Sequence, residues 1–148
     1  MRRHKIYLDN CCYNRPYDDQ GSMSVFLETQ AKLAIQEEIK DGRLDMYWSF
    51  MLDYENSENP DPIVKEEILT WKSLASVMIN NNNSVITSAL RIADHGFKKK
   101  DALHLACAID KKVEYFITVD KGIINKKKYI LEIKIVNPIE FINILEAE

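Results

Sequence analysis

The sequence predicts an α/β fold: a mostly parallel central sheet with helices on both faces. Three observations predict it. Short apolar runs at residues 5–8, 44–51, 115–119 and 130–136 alternate with stretches of helical spacing. Strands separated by helices imply crossover connections, and hence parallel pairing with both sheet faces covered. The chain has 148 residues, enough for one domain and too few for two ordinary ones. No internal repeat or linker divides it.

Taken in order, Lys5 to Leu8 reads as a strand ending at Asp9. The polar, Pro-containing stretch from Asn10 to Gly21 reads as a loop. From Ser22, an N-cap, Met23, Leu27, Ala31, Ile35 and Ile39 recur every four residues, a helix that stops near Asp41-Gly42. Leu44 to Met51 is a second strand, and Leu52 to Asn59 is ambiguous. Pro62 suits the first position of a helix running to about Met78, which the Asn80–Asn83 run breaks. Helical spacing returns at Thr87–His95, ends at Gly96, and returns over Lys99–Lys111 with Ala102, Leu105, Ala106 and Ile109 inward. Tyr115–Val119 is a strand, Gly122–Asn125 a short helix, Ile130–Val136 a last strand, and Pro138 opens a final helix.

Composition excludes several classes. Hydrophobic residues make up 46% and charged residues 29%, ordinary for a soluble protein. Three cysteines, Cys11, Cys12 and Cys107, without repeated C-x-x-C spacing argue against a disulfide framework or structural zinc. No apolar run approaches the roughly 20 residues of a membrane span, and the charged start followed by a strand is no signal peptide. A cytoplasmic protein is expected. Net charge is −3, yet basic residues gather at Arg2-Arg3, Lys98–Lys100 and Lys126–Lys128. Each run alone reads as a solvated surface. Together they become a phosphate footprint only if they border one cleft.

The informative residues are acids at element ends. Asp9 follows the first strand, Glu55 the second, and Asp120 the Tyr115–Val119 strand, while Asp101 lies in the first turn of its helix. In a right-handed strand–helix–strand unit all four face the carboxyl edge of the sheet, where open α/β sheets bind ligands. Singly, each has an ordinary explanation as a helix cap or dipole partner. Clustered, they would repel and raise each other's pKa. A hard divalent cation removes that conflict, and magnesium takes such oxygen ligands.

These residues resemble the PIN-domain family of VapC-like ribonucleases. The segments KIYLDNCC, SFMLDYE, KDALHLACAID and YFITVDKG look like its four motifs in order, spanning Lys5 to about Val136. The most specific piece is Asp101-Ala102 followed by Thr118-Val119-Asp120. The resemblance implies a PIN-like three-layer fold and an endoribonuclease using Mg2+ (or Mn2+). Its ligands would be Asp9, Asp101 and Asp120, with Glu55 completing the catalytic set and Asp53 and Glu58 as rivals. It implies metal-activated water as the nucleophile, products with a 5′-phosphate and a 3′-hydroxyl, RNA as substrate, a homodimer, and a cognate antitoxin protein of a toxin–antitoxin pair. The loop after Asp9 departs from the family's commoner apolar helix start.

Around that set, Asn10 and Thr118 are candidates to orient carboxylates, and Arg15 to touch a phosphate. His104, one helical turn after Asp101, reads as a packed or hydrogen-bonded histidine. Cys11 and Cys12 read as a strand end facing opposite sides, and Trp48 and Trp71 as core. Two other classes compete. One is a catalytically silent PIN-like module that grips RNA or protein. The other is a phosphoacceptor domain using Asp9, Asp53 and Thr87, which wants paired acids after the first strand and leaves Asp101 and Asp120 idle.

Overall fold

Residues 3–148 are described by the structure, a computed structural model. Arg2, half of the first basic pair, lies outside them. The elements in chain order are β1 (His4–Leu8), α1 (Asn10–Asn14), α2 (Met23–Lys40), β2 (Leu44–Ser49), α3 (Phe50–Ser57), α4 (Pro62–Lys72), β3 (Val77–Ile79), α5 (Asn83–Ala93), α6 (Lys99–Asp110), β4 (Tyr115–Ile117), α7 (Lys121–Ile124), β5 (Lys134–Val136) and α8 (Pro138–Glu146). Short 3₁₀ turns occupy Arg15–Tyr17 and Lys127–Tyr129.

All five strands are parallel, in the order β3-β2-β1-β4-β5. Consecutive residues of the central strands are buried, Ile6-Tyr7-Leu8 in β1 and Met46-Tyr47-Trp48-Ser49 in β2. Side chains alternate between faces, so both faces are covered, as a parallel sheet requires. Helices α2 and α8 pack on one another, as do α5 and α6. The chain winds outward from β1 to β3, then crosses back to β4 beside β1. The crevice of such a sheet opens at this reversal, outside the carboxyl ends of β1 and β4.

The sequence reading needs correction at several element ends: β2 stops at Ser49, so that Phe50 and Met51 open α3, and α5 starts at Asn83 rather than Thr87. Asn10–Asn14 is a helix rather than loop, because Asp9 accepts the Asn10 N–H and caps it. Cys11 and Cys12 therefore sit on that helix, not on a strand end. Helix α4 stops at Lys72, and Val77–Ile79 leaves it to pair with β2 as an edge strand. In α2 the inward stripe is Thr29, Lys32, Ile35, Gln36 and Ile39, while Met23, Phe26 and Leu27 are exposed. Finally, β5 begins at Lys134, four residues later than the apolar run suggests.

Candidate active site

Asp9 ends β1 and caps α1, which fixes both its carboxylate oxygens. Oδ1 accepts the Asn10 N–H at 2.8 Å, and Oδ2 accepts the Thr118 hydroxyl at 2.8 Å and the Cys11 thiol at 3.4 Å. Its side chain is buried, and its own N–H donates to the Ile117 carbonyl, so β1 and β4 hold it in place. Thr118 Oγ1 also accepts the Asp120 N–H at 3.0 Å. One hydroxyl thus ties the acid ending β1 to the backbone of the acid following β4. Asp120 caps α7 by accepting the Gly122 N–H at 2.7 Å.

Asp101 stands half-buried in the first turn of α6. Burial, then the charges of Asp9 and Asp120, push its carboxyl up to about 6, and Glu55 adds to the effect while His104 opposes it. Four acids from four segments therefore share one electrostatic neighbourhood. Among the described residues, no three His, Cys, Asp or Glu side chains close on a single point as a finished cation site. The donor set is all oxygen and mutually repelling, which suits a hard dication and not a thiolate-seeking metal.

Glu55 enters from α3. Its Oε1 accepts from His104 Nε2, and its Oε2 lies 3.5 Å from Asn10 Nδ2. Burial raises its pKa, but His104, Lys100 and Asn10 together carry it below the ordinary value. The two rivals are engaged elsewhere. Asp53 accepts from Trp48 Nε1 at 2.9 Å and pairs with Lys72 at 3.0 Å, while Glu58 is exposed and lies 3.5 Å from Lys100.

His104 is packed and hydrogen-bonded, as the sequence reading has it, and its partners bring it into the site. It is fully buried, with Nε2 on Glu55 and 4.0 Å from Asp9 Oδ1, and Nδ1 2.6 Å from the Tyr7 hydroxyl. That hydroxyl is 2.6 Å from Ser49 Oγ, which accepts the Leu52 N–H. With a neutral imidazole the chain has one direction: Ser49 donates to Tyr7, Tyr7 to Nδ1, and Nε2–H to Glu55. Burial lowers the basicity of His104, yet the Glu55 bond and the charges of Asp9, Glu55 and Asp101 outweigh it and raise its pKa. The signal was the one-turn spacing from Asp101. Its partner, 49 residues upstream, was not visible locally.

The remaining candidates divide. Asn10 faces Glu55, and its Oδ1 is buried without a hydrogen-bond partner among the described residues. Thr118 bonds Asp9 as expected of an orienting group. Arg15 is brought instead to Asp18 at 3.0 Å and Glu28 at 3.2 Å through its two terminal nitrogens, while its Nε is buried without a partner among the described residues. Cys11 touches both Asp9 and Thr118, and its thiol is pushed up, first by Cys12, then by burial and Asp9, so it stays protonated. Trp48 is fully buried, as read. Trp71 is only half-buried and packs at the border of the core.

No family model matches the sequence, and no curated protein matches it. Among solved structures, the chain is similar to one in the crystal structure of VapBC2 from Rickettsia felis bound to a DNA fragment from its promoter. The TM-score is 0.54 at 14% identity, covering 89% of this chain and 97% of that one. At this identity the likeness is one of fold, and it runs the length of both chains. No helix of the described residues is long and apolar enough to cross a membrane.

Proposed function

We propose, with the VapC-like PIN fold as premise, that this chain is a metal-dependent endoribonuclease that hydrolyses RNA at Asp9, Glu55, Asp101 and Asp120. One observation carries the reading: four acids from four segments gather at the carboxyl edge, where the strand order reverses, and their charges converge on Asp101. A cluster of carboxylates without a cation is costly, and helix capping by Asp9 and Asp120 gives no reason for Asp101 to stand among them.

Asp9, Asp101 and Asp120 would hold Mg2+ (or Mn2+), which when bound supplies the positive charge that activates water and steadies the leaving oxygen. Thr118 orients Asp9 through Oδ2 and fixes the backbone of Asp120. His104 holds Glu55 toward the cluster, and Tyr7 and Ser49 hold His104. The thiol of Cys11 packs against Asp9 as a neutral donor. The reading extends to the toxin of a toxin–antitoxin pair, active as a homodimer and silenced by a protein partner. Support for that extension is the resemblance of the motifs and the fold shared with a chain of VapBC2.

Cleavage of RNA by purified protein in magnesium, manganese or EDTA, beside Asp9→Asn and Asp101→Asn, tests it. Metal-dependent cutting abolished by both substitutions is the expected result. Equal residual cutting by all three proteins marks contamination and leaves the reading without support. RNA binding without any cutting moves the silent-module alternative ahead.

A further inference from the structure

We propose that the α5–α6 loop and the 3₁₀ turn after α7 form a landing shelf for single-stranded RNA, delivering it to the acid cluster. The inference rests on the nuclease reading only for what happens after the strand has landed. Two lysine runs far apart in sequence meet here. Lys126 Nζ donates to the Gly96 carbonyl at 3.1 Å and lies 5.8 Å from the centre of the Phe97 ring. Gly96 turns the chain at a φ of 92°, a conformation that favours glycine, and so presents that carbonyl.

Two rings lie between the runs. His95 and Tyr129 stack in parallel, with centroids 4.9 Å apart and planes 14° from each other. Both are exposed, Tyr129 by 43%. Lys128 Nζ stands 5.2 Å from the centre of the Tyr129 ring. Lys98, Lys99, Lys121 and Lys127 are exposed and pair with no carboxylate among the described residues. Exposed lysines alone are ordinarily solvated surface. Here the chain as a whole is acidic, so a positive surface with Asp94 as its one internal acid is a local concentration.

An exposed stacked pair of rings among ammonium groups is what a single strand binds: phosphates to the charges, a base to an outer face of the pair. A duplex hides its base faces and gains nothing from the rings. The direction of delivery follows from the chain. Lys98–Lys100 run straight into Asp101, and Lys121 directly follows Asp120. A strand lying on the shelf therefore has its backbone at the border of the acids.

The test is fluorescence anisotropy of a labelled 12-nucleotide RNA in EDTA, where metal-dependent cutting is off, across a salt series. Tyr129→Ala should weaken binding by roughly five- to a hundredfold, the usual worth of one stacked base. Tyr129→Phe, which keeps the ring, should bind as wild type. The pair Lys98→Gln and Lys127→Gln should flatten the slope of log affinity against log salt by about 1.4, roughly 0.7 per lost single-strand contact. Lys111→Gln, at the opposite end of α6, should change nothing. Undiminished binding by Tyr129→Ala, or a duplex competing as well as the single strand, overturns the shelf. Intact shelf binding without cutting in magnesium sinks the nuclease reading alone. Metal-dependent cutting, with shelf variants that bind like wild type, sinks the shelf alone.

Discussion

The Tyr7 hydroxyl lies 2.6 Å from Nδ1 of His104, and the two residues are 97 positions apart in the chain. The contact puts a strand residue from the middle of the sheet behind a histidine of α6, whose other nitrogen meets Glu55. The acid is thus supported from the core rather than from the surface. Tyr7→Phe keeps the ring and deletes the link, leaving Ser49 and Nδ1 with one partner fewer. Equilibrium urea unfolding should show a loss of about 1–3 kcal/mol, the cost of orphaning buried polar groups. An unchanged midpoint would mean that the chain of hydroxyls does not hold His104.

Glu55 and Asp53 separate by their partners. Glu55→Gln should lower cleavage by at least roughly 10–100-fold, because it removes a charge from the cluster. Asp53→Asn should leave cleavage near wild type while costing some stability, since it frees Lys72 and weakens the bond to Trp48. Single-turnover rates on one RNA decide it, and the opposite ranking would transfer the fourth acid to Asp53.

Metal should be felt as stability. At a hundred times its dissociation constant, a cation that binds only the folded state adds about 2.7 kcal/mol. Differential scanning fluorimetry should therefore show wild type rising in magnesium or manganese and Asp101→Asn failing to rise. Without metal the variant should melt no lower than wild type, because it removes a carboxylate that its neighbours oppose. A metal-free variant that melts well below wild type would assign Asp101 a structural role.

Lys32 sets a pH dependence unconnected with catalysis. It is 2% exposed, its Nζ lies 5.3 Å and 5.2 Å from the centres of the Tyr13 and Trp71 rings, and it donates to Gln36. Burial lowers its pKa from 10.5 to about 8. Below pH 8 the lysine is charged in both folded and unfolded chains, and the full cost of burial is present. Between 8 and 10.5 the folded chain sheds the proton while the unfolded chain keeps it, so this group makes stability rise with pH. The rise is on the order of 3 kcal/mol. Urea midpoints from pH 7 to 10.5 should show it, and Lys32→Met should flatten the curve and raise the pH 7 value. A wild-type curve with no upward component would show that Lys32 keeps its ordinary pKa.

The expected fold class and the four segments bearing the acids were legible because they rest on periodicity and on element ends, which are local features. Asp9, Asp101 and Asp120 each mark a boundary, and a boundary is where local sequence speaks most clearly. The edge strand Val77–Ile79 was not legible, since three residues after a helix carry no period of their own. Helix α1 hid in a polar stretch because its start depends on one capping carboxylate rather than on an apolar face. The inner face of α2 escaped because it is polar: Thr29 bonds the Arg15 carbonyl, Lys32 lies over the Tyr13 and Trp71 rings, and Gln36 accepts from Lys32 within the helix, none of which a pattern of hydrophobicity records. His104 was legible as a packed, hydrogen-bonded histidine, but its partners Tyr7 and Glu55 reach it only through the fold.

Two of the four acids also begin helices. Asp9 takes the N–H of Asn10, and Asp120 that of Gly122, through the same carboxylates that face the cluster. A Cβ added at Gly122 would meet Asp120 Oδ1 at 3.0 Å, so this corner has little slack. Whatever draws on these oxygens also draws on the first turns of α1 and α7. The occupancy of the cluster is thereby written into the protection of two backbone amides, and hydrogen exchange at Asn10 and Gly122 becomes a gauge of loading that needs neither substrate nor turnover.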